Sequence, residues 1–282
     1  MRASSRGTYG IVIALFFVLA AAPVLADTLT LDGPLEQGGL IYGKTMPGAK
    51  VTFDGRHIRV APDGAFIFGL SREAPAHATL EIVTREGRRE RRDLTIQKQN
   101  YQIQRIEGLP EKQVTPDPEM LARIKHDQAA IRATHKVDSS NLDFEQRVRW
   151  PVTGIISGVY GSQRILNGEP RAPHLGADIA APVGTPIHAP AGGTVTLAEP
   201  DFVLDGGTVV IDHGYGLSTL YIHLSKILVH PGEHVAAGQV IGDVGKTGRA
   251  TGPHLHWGIY WYETALDPML AAGPMPGAAA AK

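Results

Sequence analysis

Short apolar runs separated by glycine and proline turns recur along most of the chain. Such runs predict β-strands, because a helix shows a longer apolar pattern with a period of about 3.6 residues. In the first part of the chain, Asp54-Gly55 lies between two runs and predicts a two-residue hairpin turn. The strands predicted there are 51–53, 57–60, 65–68, 80–83 and 93–96. Their regular spacing is typical of a small β-sandwich.

The arginine-rich segment 86–92 lies between the last two of these strands and predicts an exposed turn. Two interpretations stay open for it. Charge runs are usually solvated, which favours a simple hairpin tip. The alternative is a surface that contacts anionic polymers.

One segment between the two β-rich parts has helical periodicity. Pro116-Asp117-Pro118 predicts a helix start, with Asp117 as the N-cap and Pro118 at the first position. Apolar residues at helical spacing follow, namely Met120, Leu121, Ile124 and Ile131. We therefore predict a helix over about 118–135, whose apolar stripe serves packing rather than partner binding.

From Trp150 onward the pattern again predicts strands, separated by turns such as 191–193 and 205–207. The predicted strands are 185–188, 194–198, 208–212, 217–223, 239–244 and 254–261. The predicted fold class is mainly β: a small N-terminal β-sandwich-like domain, a helical connector, and a C-terminal antiparallel β-sheet or barrel-like domain. The predicted boundaries are 27–98 for the accessory β domain, 99–149 for the connector with one helix, 150–268 for the C-terminal domain and 269–282 for a disordered tail.

Residues 1–26 have the pattern of a secretory signal peptide. Arginines at positions 2 and 6 precede an apolar run over 11–22, and small residues stand before Asp27. This predicts an exported protein with no stable membrane insertion after cleavage. The alternative is an uncleaved membrane anchor, because the apolar stretch is not much shorter than a spanning helix.

Composition narrows the chemistry. The chain has no cysteine, so any metal site must use histidine and carboxylate ligands. Its formal net charge of −1 gives no indication of nucleic-acid binding, which requires a strongly basic face. Most of the 12 histidines follow residue 150, in a segment with few charges. Candidate catalytic residues are therefore expected in the C-terminal domain.

Three short motifs carry these histidines: His174-Leu-Gly-Ala-Asp178, Tyr221-Ile-His223-Leu224 and Pro253-His254-Leu-His256-Trp257. A catalytic zinc ion has three protein ligands and an open position for water. On a strand, His254 and His256 point to the same side, about two rises of 3.3 Å apart, so one can bind metal while the other transfers protons. Glycine and proline disfavour a helix over 174–178. A bent loop leading into a strand can bring both ends of that motif to one ion.

Each histidine also has a simpler interpretation, because a single histidine is more often a buried, hydrogen-bonded residue than a ligand. His213 is expected to orient or end a strand. The remaining histidines are expected to be structural, solvated or outside the domain, namely His57, His77, His126, His135, His188, His230 and His234. The aromatic residues around the last motif are interpreted as core and cleft wall, namely Trp257, Tyr260, Trp261 and Tyr262.

The segment from about 150 to 268 resembles the lysostaphin-type (LytM-like) zinc peptidoglycan endopeptidases. The matching stretches are HLGADIAAP from His174, GTPIHA from Gly184, GTV from Gly193, YIHL from Tyr221, GEHVAAGQVIG from Gly232 and GRATGPHLH from Gly248. There are two departures from the family pattern. The family often has an aromatic residue before the arginine at Ser162-Gln163-Arg164, and many relatives have glutamate where this chain has Gly258. Both departures concern substrate preference more than activity.

The resemblance implies that one Zn²⁺ ion is bound by His174, Asp178 and His256, and that His223 and His254 assist catalysis. It also implies a groove of antiparallel strands, peptidoglycan cross-links or stem peptides as the substrate, and a place in the periplasm or cell envelope. We expect His254 to orient the attacking water or take its proton, and His223 to stabilise the oxyanion. The reverse assignment of these two roles stays open. Because ligation needs neutral imidazoles, activity is expected to fall below about pH 6.

Two other functions are compatible with parts of this pattern. A non-catalytic LytM-like regulator of cell wall hydrolases would share the fold, although such relatives usually lack one or more ligands. A biotinyl- or lipoyl-type carrier would share the repeat over 232–242 and would use Lys246, but it leaves the histidines unexplained. The connector or the N-terminal domain is further expected to cover the groove until a regulatory cell wall protein arrives.

Overall fold

The chain is mainly β, as the sequence predicts, with antiparallel sheets in both halves. The computed structural model describes residues 29–106, 117–166, 168–170 and 172–277. The predicted signal peptide and the last residues of the predicted tail lie outside this range. The strands are β1 (Thr30–Asp32), β2 (Leu40–Lys44), β3 (Lys50–Phe53), β4 (Arg56–Ile58), β5 (Ala65–Gly69), β6 (His77–Val83), β7 (Arg89–Thr95), β8 (Ile103–Ile106), β9 (Ile155–Gly158), β10 (Gln163–Leu166), β11 (Glu169–Pro170), β12 (Ala177–Ala180), β13 (Pro186–His188), β14 (Gly193–Phe202), β15 (Gly206–Gly214), β16 (Leu217–Leu224), β17 (Lys226–Ile227), β18 (His234–Val235), β19 (Val240–Asp243), β20 (His254–Trp261) and β21 (Thr264–Leu266). The α-helices are α1 (Pro118–Thr134) and α2 (Pro268–Ala272).

The N-terminal module consists of two sheets, ordered β1-β2-β5 and β4-β3-β6-β7. Asp54 and Gly55, with φ of 44° and 79°, form the predicted two-residue turn between β3 and β4. This is the left-handed geometry that matches the twist of a hairpin. The arginine-rich segment differs from the prediction, because β7 already begins at Arg89 and pairs with Val83. Several of its arginines form ion pairs with Glu81, Glu90 and Asp93, so this surface carries both charge signs.

The connector contains more structure than the single helix predicted for it. Helix α1 begins as expected, with the Met120 amide donating to Asp117 Oδ1 at 2.8 Å. Of the predicted stripe, Ile124 and Ile131 are buried, whereas Met120 is exposed and Leu121 only half-buried, so the stripe packs at two of its four positions. The connector also contributes β8, which pairs in parallel with β10, and a short 3₁₀ helix over Asp143–Glu145. These elements were missed because neither has a strong apolar period of its own.

The C-terminal domain is built on an eight-stranded sheet ordered β18-β14-β15-β16-β20-β12-β9, with β21 paired to β20. The two faces of this sheet are covered differently. Tyr221 and Trp257 are opposite each other on one face, in the main apolar core. On the other face, Ile222 is opposite His256, and His256 is opposite Asp178. Because directly opposite residues share a face, the third metal motif and Asp178 project away from the main core.

Helix α1 packs on the face that carries His256. Its Ile131 forms a small apolar cluster with Phe202, Val210, Leu220 and Ile222. The backbone amide of Val203 donates to a carboxylate oxygen of Asp127 in α1 at 2.9 Å, which fixes the helix to the end of β14.

The segment predicted as a disordered tail begins with helix α2, which corrects that prediction for its first residues. Asp267 caps the helix through the Met269 amide at 2.9 Å. Trp150 Nε1 then donates to the Gly273 carbonyl at 2.9 Å. These tertiary contacts order a segment whose composition alone favours disorder. Within the described residues, no helix is both long and apolar enough to cross a membrane.

Candidate metal centre

Three side chains from separate parts of the sequence converge at one point on the exposed side of the large sheet. Asp178 lies on β12, His256 on the adjacent β20, and His174 on the loop that leads into β12. His174 Nε2 is 3.0 Å from Asp178 Oδ1 and 2.9 Å from His256 Nδ1, and the latter two atoms are 2.9 Å apart. The structure thus brings together all three residues that the sequence predicts as metal ligands.

The backbone around His174 fixes the orientation of its ring. Nδ1 of His174 lies 3.1 Å from the carbonyl oxygen of Val159. A carbonyl only accepts hydrogen bonds, so Nδ1 carries the hydrogen, and Nε2 of the neutral ring directs its lone pair toward the space shared with Asp178 and His256. A second polar group that orients a histidine ligand in this way is usual at metal sites. No sequence pattern indicates Val159, because the contact uses a main-chain oxygen.

Two glycines leave the space that the carboxylate and the imidazole occupy. A Cβ at Gly158 would lie 2.3 Å from Asp178 Oδ2. A Cβ at Gly176 would lie 2.7 Å from His256 Nε2 and 2.5 Å from the Trp257 carbonyl oxygen. Both distances are below contact distance, so any larger residue would displace a ligand. These glycines are positioning residues that the motif spacing did not identify.

The donor set and its dimensions fit a zinc ion. Two imidazole nitrogens and one carboxylate oxygen are typical ligands of a catalytic zinc, which keeps a fourth position open. Ligand atoms about 2.0–2.1 Å from a tetrahedral ion lie roughly 3.3 Å apart, close to the spacing observed here. Burial raises the pKa of Asp178. When no ion is bound, the ring nitrogens of His174 and His256 that face Asp178 can carry hydrogens, and these hydrogen bonds outweigh burial and lower its pKa below the usual range. Burial lowers the pKa of His256, which favours its neutral, ligating form.

His223 reaches the site through an unusual backbone conformation. Strict alternation along β16 would place it on the core face with Tyr221. Its φ of 69° breaks this alternation, and its ring centroid lies 4.7 Å from that of His254. Nδ1 of His223 lies 2.8 Å from the Thr247 carbonyl oxygen, so Nε2 of the neutral ring is the free nitrogen. Burial lowers the pKa of His223 to about 4.

His254 stands at the start of β20, on the same side of the strand as His256. Its Nδ1 lies 2.9 Å from the Gly252 carbonyl oxygen, which leaves Nε2 free in the neutral ring. That Nε2 is 3.9 Å from Asp178 Oδ1. Both histidines that are expected to assist catalysis therefore border the candidate metal ligands, each with one ring nitrogen held by a main-chain carbonyl.

The other histidines do not join this cluster. His213 is fully buried, with Nδ1 near the Gly192 carbonyl and Nε2 2.8 Å from Thr219 Oγ1, and burial lowers its pKa to about 4. This agrees with the expected structural role. His135 is the C-cap residue of α1, and its ring stacks on that of Tyr260 at 4.0 Å between ring centroids. Lys246 is exposed in the loop between β19 and β20, directly before the residue that orients His223.

The sheet and the cluster of two imidazoles and one carboxylate define a mainly β protein with a candidate metal centre. Comparison with known proteins places it more narrowly. Peptidase family M23 matches residues 172–268. A crystal structure from Pseudomonas aeruginosa described as a peptidase M23 is 31% identical, with a TM-score of 0.63 over 84% of this chain and 95% of that chain. The chain belongs to peptidase family M23.

Two named relatives match part of the chain. Peptidoglycan DD-endopeptidase ShyA of Vibrio cholerae is 45% identical over 104 residues, which is 37% of this chain and 24% of that protein. DD-carboxypeptidase/endopeptidase Mpg of Neisseria meningitidis is 44% identical over 103 residues, again 24% of its length. The chain therefore aligns with about a quarter of the length of each relative.

Proposed function

We propose that the protein is a zinc-dependent endopeptidase that hydrolyses peptide cross-links or stem peptides of bacterial peptidoglycan. The observation that carries this proposal is that His174 Nε2, Asp178 Oδ1 and His256 Nδ1 lie within 3.0 Å of each other. This is close to the distance between two ligand atoms of one zinc ion. The names of the two relatives support the reaction and the substrate class. Action on this substrate would place the protein in the periplasm or cell envelope.

In this proposal, His174, Asp178 and His256 hold one zinc ion. When bound, zinc lowers the pKa of water toward neutrality and polarises a peptide carbonyl. The carboxylate of Asp178 supplies the one negative charge among the three ligands.

His223 and His254 perform the proton transfers. His254 Nε2, near Asp178, accepts the proton of the attacking water and then returns it to the leaving amine. His223 Nε2 faces the same space. Because burial lowers the pKa of this ring to about 4, His223 donates to the developing oxyanion only after it has received a proton during the reaction. Because main-chain carbonyls hold the hydrogen on Nδ1 of both rings, Nε2 is an acceptor in each neutral imidazole. Because both rings offer the same acceptor atom, an experiment is needed to tell the role of His223 from that of His254.

The test is digestion of purified peptidoglycan followed by mass analysis of the released fragments. The wild-type chain is expected to release fragments cut at a peptide bond, and His256→Ala or an added chelator is expected to abolish them. A non-catalytic regulator would bind peptidoglycan or a wall hydrolase but release no fragments, and that outcome would overturn the proposal. Separate His223→Ala and His254→Ala variants then divide the proton-transfer roles through their pH–rate profiles.

The position of α1 supports the predicted control of access. The cluster formed by Ile131, Val210, Leu220 and Ile222 covers the sheet face directly beside the metal ligands, since Ile222 is opposite His256. A long substrate that follows this face away from the ion would meet the helix. We therefore propose that α1 limits the length of the groove until it is displaced.

A further inference from the structure

The loop that holds His174 is itself held by the N-terminal module. Residues 159–162 form reciprocal hydrogen bonds with His174: the Gly161 amide donates to the His174 carbonyl at 2.8 Å, and the His174 amide donates to the Ser162 carbonyl at 2.8 Å. The His174 ring donates to the Val159 carbonyl at 3.1 Å. The position of this ligand therefore depends on the position of segment 159–162.

Arg72, in the turn between β5 and β6, binds this segment from the N-terminal module. Its Nε and Nη2 both donate to the Gly161 carbonyl oxygen, at 3.0 and 2.7 Å. The side chain is only 15% exposed, which makes these charge-assisted hydrogen bonds stronger than surface contacts. Two donors from one rigid guanidinium fix both the distance and the direction of the carbonyl.

Tyr101, just before β8, closes the same contact from the connector. Its ring lies 4.2 Å below the Arg72 guanidinium and packs directly on Gly161. A Cβ at Gly161 would lie 2.0 Å from the Tyr101 ring, and φ there is 77°, so only glycine fits. Immediately beyond, the Gln163 amide donates to the Gln102 carbonyl at 2.9 Å, and β8 and β10 pair in parallel.

We infer that Arg72 and Tyr101 are positioning residues for the metal ligand His174, so that the N-terminal module and connector complete the metal site. This inference rests on the proposed zinc site. In this inference the N-terminal module holds His174 in place through segment 159–162, and it touches neither the ion nor the substrate.

The experiment measures zinc affinity by competition with a chromophoric chelator, using the full chain and zinc alone. Arg72→Gln removes the guanidinium and is expected to weaken zinc binding about tenfold, the usual effect of removing a group that orients a ligand. Arg72→Lys keeps the charge but offers one donor group, and an intermediate affinity is expected. Peptidoglycan turnover is measured in parallel, and its kcat should fall with the fraction of chain that holds zinc.

Arg56→Gln is the matched control. Arg56 also joins the N-terminal module to the C-terminal domain, through Trp261 at 4.4 Å and Tyr262 at 4.6 Å, but it does not touch segment 159–162. It should lower the melting temperature while leaving zinc affinity within about twofold of wild type. A second pair of variants tests the same contact without changing Arg72. Tyr101→Ala should weaken zinc binding, and Tyr101→Phe, which keeps the ring, should not.

The outcomes separate this inference from the proposed function. If wild type binds no zinc, both fall. If wild type binds zinc but Arg72→Gln and Tyr101→Ala bind it as tightly, the inference is overturned and the zinc site stands. If Arg72→Gln does not fold, Arg72→Lys and the Tyr101 pair decide by the same criterion.

Discussion

Asp178 and His256 lie directly opposite each other on β12 and β20, with Oδ1 and Nδ1 2.9 Å apart. The register of two neighbouring strands thus places a carboxylate and an imidazole on the same face of the sheet. A shift of one residue in either strand would send one of them to the opposite face, into the core with Trp257. Two of the three candidate ligands are therefore held by the sheet itself, whereas His174 lies on the loop before β12.

Asp178→Asn tests the charge of this pair. The amide keeps the shape of the side chain but removes the negative charge from the ligand set. We expect zinc affinity to fall by more than about 100-fold, beyond the usual cost of losing an orienting group, and turnover to fall with it. Metal content after dialysis against dilute zinc measures the effect. His234→Ala removes an exposed imidazole that pairs with Asp143, and it should retain full zinc content.

Gly158→Ala tests the space behind the carboxylate. A methyl group there would lie 2.3 Å from Asp178 Oδ2, so the carboxylate must move. We expect a fall of about tenfold in zinc affinity with a smaller change in unfolding free energy. Gly252→Ala is the matched change, because a Cβ there meets nothing within 4 Å. Equal zinc affinities for the two alanine variants would show that the Gly158 contact does not matter.

Two buried histidines make stability depend on pH. Burial lowers the pKa of His135 from 6.5 to about 4, and that of His213 likewise to about 4. As pH falls below 6.5 the unfolded chain takes up protons that the folded chain refuses until about pH 4, so the free energy of unfolding decreases across this window. Each histidine should lower the free energy of unfolding by about 1 kcal/mol when the pH falls from 7.5 to 5.5.

Urea unfolding of His135→Phe at these two pH values measures the contribution of His135. The variant keeps an aromatic ring to stack on Tyr260 and should lose about 1 kcal/mol of the pH dependence. His57→Phe, at an exposed position, should behave as wild type does. A pH dependence unchanged in His135→Phe would contradict the assignment.

Ile131→Glu tests whether α1 limits access to the groove. A buried charge in the cluster with Leu220 and Ile222 should detach the helix, while the main core on the other face of the sheet is retained. We expect turnover of peptidoglycan per bound zinc to rise a few-fold. Arg132→Glu, exposed on the same helix, is the control. If turnover does not rise, α1 does not regulate access to the groove, and that hypothesis is wrong. Truncation to 150–282 is a poorer test, because it also deletes β8 and Arg72.

The strands of the C-terminal domain were predictable because each has a strong local pattern. β16 and β20, for example, are long, apolar and bounded by turns. The convergence of three ligands was predictable from motif resemblance, with the i, i+2 spacing of His254 and His256 as its physical counterpart. Short strands such as β8 and β10 were missed, because their pairing is set by partners distant in sequence. The helix α2 was missed for the same reason: its cap is local, but its packing is tertiary.

The residues that orient the site were the hardest to foresee. Val159 and Thr247 act through main-chain carbonyls, which carry no residue-type signal. His223 turns toward the site through a positive φ, although alternation along its strand predicts the opposite face. Arg72 lies about a hundred residues before the ligand it supports. Such contacts depend on how elements pack in three dimensions, which periodicity and spacing do not specify.

The most direct test of the account is a crystal structure of the protein grown with zinc, with diffraction measured on both sides of the zinc absorption edge. We predict one strong anomalous peak, bonded to His174 Nε2, Asp178 Oδ1 and His256 Nδ1, with its remaining position facing His223 and His254. A peak elsewhere, or one that lacks any of these three ligands, would contradict the proposed metal site and the hydrolysis built on it.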